Sequence, residues 1–329
     1  MTSLLKLFPL LCLILLNGCV VKNIGTTVEH TFKGDYYLSN EKYEQGRESF
    51  AVEVAENPES SLANYYYGRF LLQDGEYEQA LQHLLKARTL DPENADYQFW
   101  SGIAFGAEKD TKKEEESYRR ALAIDKNHLQ SMVYLGHIEF RKKNYQKALA
   151  LYSKALEIWP ESPSALYNRA LILHKLGRSP EERRAWLAYL SLYPSGAKAR
   201  RATQYLNILN NFTYRNHKIG LRTITTEKIW FEPFVAQLSF SSHDSLNLIG
   251  TVYSDHKSGK LQIIVYQKNN EKLAREKAHA IKQYLLEEFP TQDSKKIGIS
   301  WFAEPQKFTI SGKKLSIDES VSFFVSEDS

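Results

Sequence analysis

Apolar residues fall in short blocks along the N-terminal two thirds of the chain, and the blocks recur. Gly34, Gly68, Gly102 and Gly136 lie 34 residues apart, as do Pro58 and Pro92, and later Pro160 and Pro194. Small and aromatic residues hold fixed offsets between glycine and proline: Ala80, Leu84 and Ala87 in one unit, Tyr118 and Ala121 in the next, then Ala148, Tyr152 and Ala155. A period of this length predicts stacked helical hairpins. Small residues at the helix crossing let two backbones approach, and the proline ends the second helix because it has no amide donor. One hairpin cannot bury its own apolar face, so the hairpins must stack. After Gly196, the residues Ala202, Tyr205, Leu206 and Leu209 mark one face of a further helix that closes the array.

From about Thr213 the pattern changes. KIWFEPFVAQLSF, rich in aromatic and β-branched residues, predicts a strand. SHDSLNLIGTVYSDH places Leu246, Ile249 and Tyr253 at helical spacing, and KLQIIVYQ then predicts a buried strand. NEKLAREKAHAIKQYLLEEF carries Leu273, Ala278, Ile281 and Leu285 on one helical stripe, and KKIGISWFA and ESVSFFV supply two more strands. The expected protein is therefore multidomain: an all-α solenoid followed by an α+β domain in the order β-α-β-α-β-β.

Composition narrows the function. With 329 residues, 43% of them hydrophobic and 25% charged, the chain has the make-up of a folded protein. Its 43 basic and 39 acidic residues give a net charge of +4 that is spread along the sequence, which argues against a nucleic-acid partner. No HExxH, G-x-S-x-G, P-loop or dinucleotide-binding glycine pattern occurs, and His83, His128 and His137 are too scattered to gather a metal. No enzyme, metal or cofactor is expected. The acidic runs Glu114-Glu115-Glu116 and Glu287-Glu288 read as solvated helix faces. Arg178, Arg183, Arg184, Lys198, Arg200 and Arg201 form a basic cluster, diluted by Glu181 and Glu182, that either meets an acidic surface or simply faces solvent.

Residues 4–16, LLKLFPLLCLILL, are one lysine and an apolar run shorter than the roughly 20 residues needed to span a bilayer, which reads as a signal-peptide core. The run ends in Leu16-Asn17-Gly18-Cys19, which resembles the lipobox of bacterial lipoproteins. An ordinary secretory leader or an uncleaved anchor are the alternatives. The resemblance implies cleavage after Gly18, lipidation of Cys19 with fatty acyl chains such as palmitate, and a short tether over residues 19–26. Because Val20 and not aspartate follows the cysteine, it also implies the outer membrane. The periplasmic face is the expected one, with the exterior as the alternative.

The 34-residue units, best seen in YGRFLLQDGEYEQALQHLLKARTLDPEN and YLGHIEFRKKNYQKALALYSKALEIWPES, resemble the tetratricopeptide repeat. Five units fit over residues 27–196, with a capping helix over 197–212. Ligands of that family are held by set positions on the first helix of each unit. The resemblance therefore implies a protein-binding groove lined by Tyr65, Arg69, Phe99, Ile103, His137, Phe140, Arg141, Tyr167, His174 and Lys175. The alternative for each is packing between repeats.

In the C-terminal region, Asn270, Leu273, Ala274, Ala278, Ile281 and Leu285 match the helix motif of OmpA-like, peptidoglycan-associating domains, a resemblance covering roughly residues 227–326. That family clamps the diaminopimelate of the wall peptide between an aspartate and an arginine. Here Val265-Tyr266-Gln267-Lys268-Asn269 offers no acid, the arginine position is Lys277, and a later arginine pair is Glu319-Ser320. Asn270 and Lys277 are what remains of a peptidoglycan site. The expected function is a membrane-anchored scaffold or adaptor in envelope assembly; the alternative is a peptidoglycan tether.

Overall fold

The computed structural model describes residues 30–256, 258–310 and 312–326; the leader, Cys19 and the tether lie outside the described residues. The chain divides into two compact units, one running to Ile158 and the other from Trp159.

The first unit is helical. α1 is seen over residues 30–39, and α2 (Tyr43–Glu56), α3 (Ser61–Gln73), α4 (Tyr77–Leu90), α5 (Ala95–Ala107), α6 (Thr111–Ile124), α7 (Leu129–Arg141) and α8 (Tyr145–Ile158) follow. The glycines explain the pairing within each hairpin. A Cβ on Gly68 would lie 2.7 Å from Leu84, one on Gly102 2.5 Å from the Tyr118 ring, and one on Gly136 3.0 Å from the Tyr152 ring. In each hairpin the large side chain sits 16 residues after the glycine and is fully buried, so the missing Cβ is the space that the partner fills.

The turns repeat as well. Ser60, Asn94 and His128 each cap a first helix by accepting a hydrogen bond from the amide three residues on. Each first helix ends in a left-handed residue: Glu41, Gly75, Lys109 and Lys143 have φ between 55° and 80°. The amides of Lys42, Glu76, Asp110 and Asn144 then reach back to carbonyls five residues earlier, closing the helix end.

The second unit opens with α9 (Pro163–Lys175), α10 (Ser179–Leu192) and α11 (Gly196–Ile208). Trp186 of α10 is fully buried and stacks in parallel on Tyr205 of α11, with centroids 5.2 Å apart. α11 packs on a hairpin, β1 (Tyr214–Ile219) and β2 (Arg222–Glu227). Next come α12 (His243–Ser254), β3 (Lys260–Gln267), α13 (Glu271–Glu288), β4 (Ile297–Phe302), β5 (Gln306–Ile310), β6 (Lys313–Ile317) and β7 (Glu319–Ser326). The main sheet has the order β2-β1-β7-β3-β4, with β3 parallel to β4 and antiparallel to β7, while β5 and β6 form a separate pair. Leu246, Ile249 and Tyr253 of α12 and Ala274, Ala278, Ile281 and Leu285 of α13 bury with Leu261, Ile263 and Val265 of β3.

The α+β order departs from the expected β-α-β-α-β-β at two places. KIWFEPFVAQLSF is not a strand: only Phe231 and Leu238 bridge, because Pro233 has no amide to donate and Phe234 turns the chain at φ 65°. The strand pairing comes instead from the polar segment just before it, where Gly220, at φ 59°, opens a two-residue turn between Ile219 and Arg222. The β5–β6 hairpin was likewise absent from the expected order.

Candidate functional site

Successive first helices of the helical unit bring two cavities to the positions that the repeat register marks. One, of about 400 Å³, is lined by Tyr65, Tyr66 and Arg69 of α3, Asp96 and Trp100 of α5, and Asp35 of α1. At its centre the Arg69 guanidinium lies 4.2 Å from the Trp100 ring centroid and 5.2 Å from that of Tyr65. Nη1 of Arg69 donates to the Tyr65 hydroxyl at 3.0 Å, while its buried Nε has no hydrogen-bond partner among the described residues. Arginine caged by aromatic faces is held in place yet keeps donors for a forked bond to a carboxylate.

The carboxylates at the edge of this cavity are themselves anchored. Asp35 accepts from the Tyr66 hydroxyl at 2.8 Å, and Asp96 pairs with His128 at 3.2 Å. The His128 hydrogen bond holds Asp96 below the usual carboxylate range. Burial pushes the Tyr65 and Tyr66 phenols far up, so both stay protonated.

The second cavity, about 420 Å³, is lined by Ile103, Glu114, Tyr118, Tyr134 and Arg141. Arg141 reaches the largely buried Glu114 at 3.4 Å.

Of the residues expected to line a groove, Tyr65, Arg69 and Phe99 border the first cavity, and Ile103 and Arg141 the second. Phe99 is only 3% exposed and packs its ring against Trp100, Tyr118, His128 and Tyr134, so its mass lies between repeats. Phe140 packs on Tyr145 and His137 on Tyr134 and Tyr152, and neither borders either cavity. In the second unit Tyr167 is buried against Trp186 and Tyr189, His174 bonds Glu182 at 2.9 Å, and Lys175 is exposed at the end of α9. The reading of the sequence missed Trp100 and Tyr134. Their signal was present, since Tyr66, Trp100 and Tyr134 also stand 34 residues apart.

The candidate wall-binding residues of the second unit are engaged internally. Asn270 is the N-cap of α13, its side chain accepting from the Leu273 amide at 3.0 Å. Lys277 is buried; its ammonium donates to Gln267 at 2.8 Å and pairs with Glu319 at 3.1 Å. Glu319 thus supplies the counter-charge that the stretch before α13 lacks.

Among the described residues no helix is long and apolar enough to cross a membrane, and no cluster of histidine, cysteine, aspartate or glutamate could hold a metal.

Residues 33–95 and 71–128 match the tetratricopeptide repeat family, and residues 136–177 match a TPR repeat family. The type IV pilus assembly protein PilF of Pseudomonas aeruginosa is 32% identical over 106 residues, which is 31% of this chain and 41% of PilF. The TPR repeat-containing thioredoxin TTL4 of Arabidopsis thaliana is 38% identical over 84 residues, 25% of this chain and 12% of that protein. The chain thus spans less than half the length of these relatives. Among solved structures, MamA is 18% identical with a TM-score of 0.43, covering 48% of this chain and 93% of MamA. YrrB, described as a TPR protein with an unusual peptide-binding site, is 16% identical with a TM-score of 0.43, covering 52% of this chain and 88% of YrrB. The chain carries tetratricopeptide repeats, followed by a region that contains strands.

Proposed function

We propose that this protein is a lipid-anchored scaffold that holds protein segments during assembly of a bacterial envelope structure, with Cys19 as the lipidated residue and the outer membrane as its location. The observation that carries the binding role is the Arg69 cavity, where an arginine with spare donors stands among three aromatic rings. Aromatic and arginine side chains are the usual anchors of binding energy. A partner segment would set an acidic side chain or chain end against Arg69 and place amide or basic groups along Asp35 and Asp96. That PilF is named for pilus assembly favours an assembly role. The lipobox-like Leu16–Cys19 supports the anchor, and lipid attachment would concentrate the repeats at the membrane.

The C-terminal region keeps its resemblance to OmpA-like domains in the α13 motif. Its use as a peptidoglycan tether is the second reading. The scaffold is favoured because Asn270 caps its own helix and Lys277 is paired with Glu319, which leaves neither free for a wall peptide.

Two experiments test the scaffold. A photo-crosslinking side chain placed at Tyr134, which is exposed, should capture a discrete envelope protein in living cells, whereas one at Glu116 should not. Arg69→Gln should abolish that capture in a chain that still folds; equal capture by both crosslinker positions, or capture indifferent to Arg69→Gln, removes the cavity from the binding role. Cys19→Ser should lose metabolic fatty-acid label, and continued labelling would refute the anchor.

A further inference from the structure

A further concave site lies within the C-terminal unit, apart from the two cavities of the helical unit. It is a cavity of about 260 Å³ whose lining includes Arg215 of β1, Lys228, Trp230 and Phe231 of the segment after β2, Lys277 of α13 and Glu319 of β7. Its lining carries three cations, Arg215, Lys228 and Lys277, and a single carboxylate, which is already spent on Lys277.

The two remaining cations have no carboxylate partner among the described residues. Nη1 of half-buried Arg215 donates to the Gln306 amide oxygen at 2.6 Å, and the guanidinium lies 5.5 Å from the Phe308 centroid. Lys228 rests its ammonium 3.8 Å from the Trp230 centroid. Burial pulls Arg215 down to about 10, so it remains charged at neutral pH. Burial lowers Lys228 as well; the nearby Lys277 ammonium adds to this and Glu319 opposes it. His217, which also lines the cavity, is kept neutral by burial and adds no charge. Holding two cations in a partly closed apolar cavity is costly unless an anion compensates them. Trp230 and Phe231 supply an apolar wall beside the charges.

We propose that this cavity binds a small phosphate monoester carried on an aromatic or apolar body, the phosphate held by Arg215 and Lys228 and the body lying against Trp230 and Phe231. A phosphate monoester carries close to two negative charges at neutral pH and presents several acceptor oxygens, which matches two cations that have no carboxylate partner among the described residues, one of them able to make forked bonds. A zwitterion such as diaminopimelate fits poorly, because its ammonium would meet the surplus of positive charge.

The test uses the purified full chain, with phenyl phosphate, dihexanoyl phosphatidic acid, inorganic phosphate and diaminopimelate as probes in calorimetry, and tryptophan fluorescence as a second readout. Phenyl phosphate or the short-chain lipid should bind saturably below about 1 mM and more tightly than inorganic phosphate, and the stronger of the two identifies a soluble or a lipid source. Arg215→Gln and Lys228→Gln should each weaken binding about tenfold. Trp230→Ala should weaken binding of both esters and lose the fluorescence change. Lys228 is half-buried at the cavity edge, so its variant tests the site even if Arg215→Gln unfolds. No saturable binding of either ester, binding indifferent to Lys228→Gln in a folded chain, or tighter binding of diaminopimelate would overturn the proposal.

Discussion

The Arg69 guanidinium of α3 lies 4.2 Å from the Trp100 ring of α5, so one cation–π contact joins two consecutive repeats in the first groove cavity. Such a contact is worth about 0.5–2 kcal/mol, more as water is excluded. A double-mutant cycle of Arg69→Met and Trp100→Leu, read from denaturant midpoints, should show a coupling of that size. Coupling indistinguishable from zero would mean that the ring only covers the side chain and does not hold it.

The left-handed turns make a second, independent prediction. Gly75 and Gly177 occupy the position that Lys109 and Lys143 hold at φ 64° and 62°, and both lysine side chains are exposed. A residue with a Cβ costs roughly 1–2 kcal/mol there, and glycine loses part of that gain to its greater unfolded-state freedom. Lys109→Gly and Lys143→Gly should therefore each stabilise the protein by about 0.5–1 kcal/mol. A loss of stability in both would show that the lysine side chains contribute contacts that outweigh the turn strain.

At the helix crossings the ranking of alanine substitutions follows from the space available. A Cβ at Gly102 would stand 2.5 Å from Tyr118, inside any real contact, whereas at Gly136 it would stand 3.0 Å from Tyr152. Overpacking a dense core costs about 1–3 kcal/mol. Gly102→Ala should lower the thermal midpoint more than Gly136→Ala, and the reverse order would mean that the Tyr118 ring can retreat more easily than the Tyr152 ring.

The helical repeat could be read from the chain because each hairpin solves the same packing problem with the same residue types, so a glycine and its partner ring recur at one spacing. The cavity was legible in part. Arg69 and Arg141 could be placed by register, but burial could not: Phe99 and Trp100 are neighbouring aromatics, and only the neighbouring helices decide that the first packs between repeats while the second faces Arg69. The C-terminal misreading has a similar cause. Residues 228–240 have strand-like composition, yet Pro233 and the turn at Phe234 break pairing, while the real hairpin is polar and shows little alternation. The counter-charge to Lys277 was invisible because it comes through sheet register: β7 lies beside β3 with Glu319 opposite Gln267, and both hold the same ammonium.

Buried His217 sets a pH dependence. Its Nδ1 accepts from the Phe323 amide at 3.3 Å, and burial, with Arg215 nearby, lowers its pKa from the ordinary 6.5 to about 3. The unfolded chain therefore binds a proton between pH 6.5 and 3 that the folded chain refuses. The stability associated with neutral His217 is fully present above the unfolded value and drains away as pH falls through that window, by about 1 kcal/mol per pH unit. Relative to His217→Gln, the wild-type chain should lose stability progressively from pH 6.5 downward in urea titrations. Parallel curves for the two proteins would show that His217 accepts its proton without unfolding.

The buried Lys277 pair gives the last prediction, because its two halves are unequally placed. Lys277 is 3% exposed, while Glu319 is 40% exposed and keeps part of its hydration. Removing the carboxylate by Glu319→Ala leaves an ammonium in the interior with the Gln267 oxygen and the Phe231 ring, 4.7 Å away, as its remaining favourable contacts. That should cost about 1–3 kcal/mol. Removing the ammonium by Lys277→Met leaves a carboxylate that can turn toward water, so the loss should be smaller. In the double variant, Lys277→Met with Glu319→Ala, no charge is stranded, and stability should recover above that of Glu319→Ala alone. Denaturant midpoints of the three variants decide the matter: if Glu319→Ala is harmless, the Gln267 oxygen and the Phe231 ring suffice to hold the ammonium without Glu319.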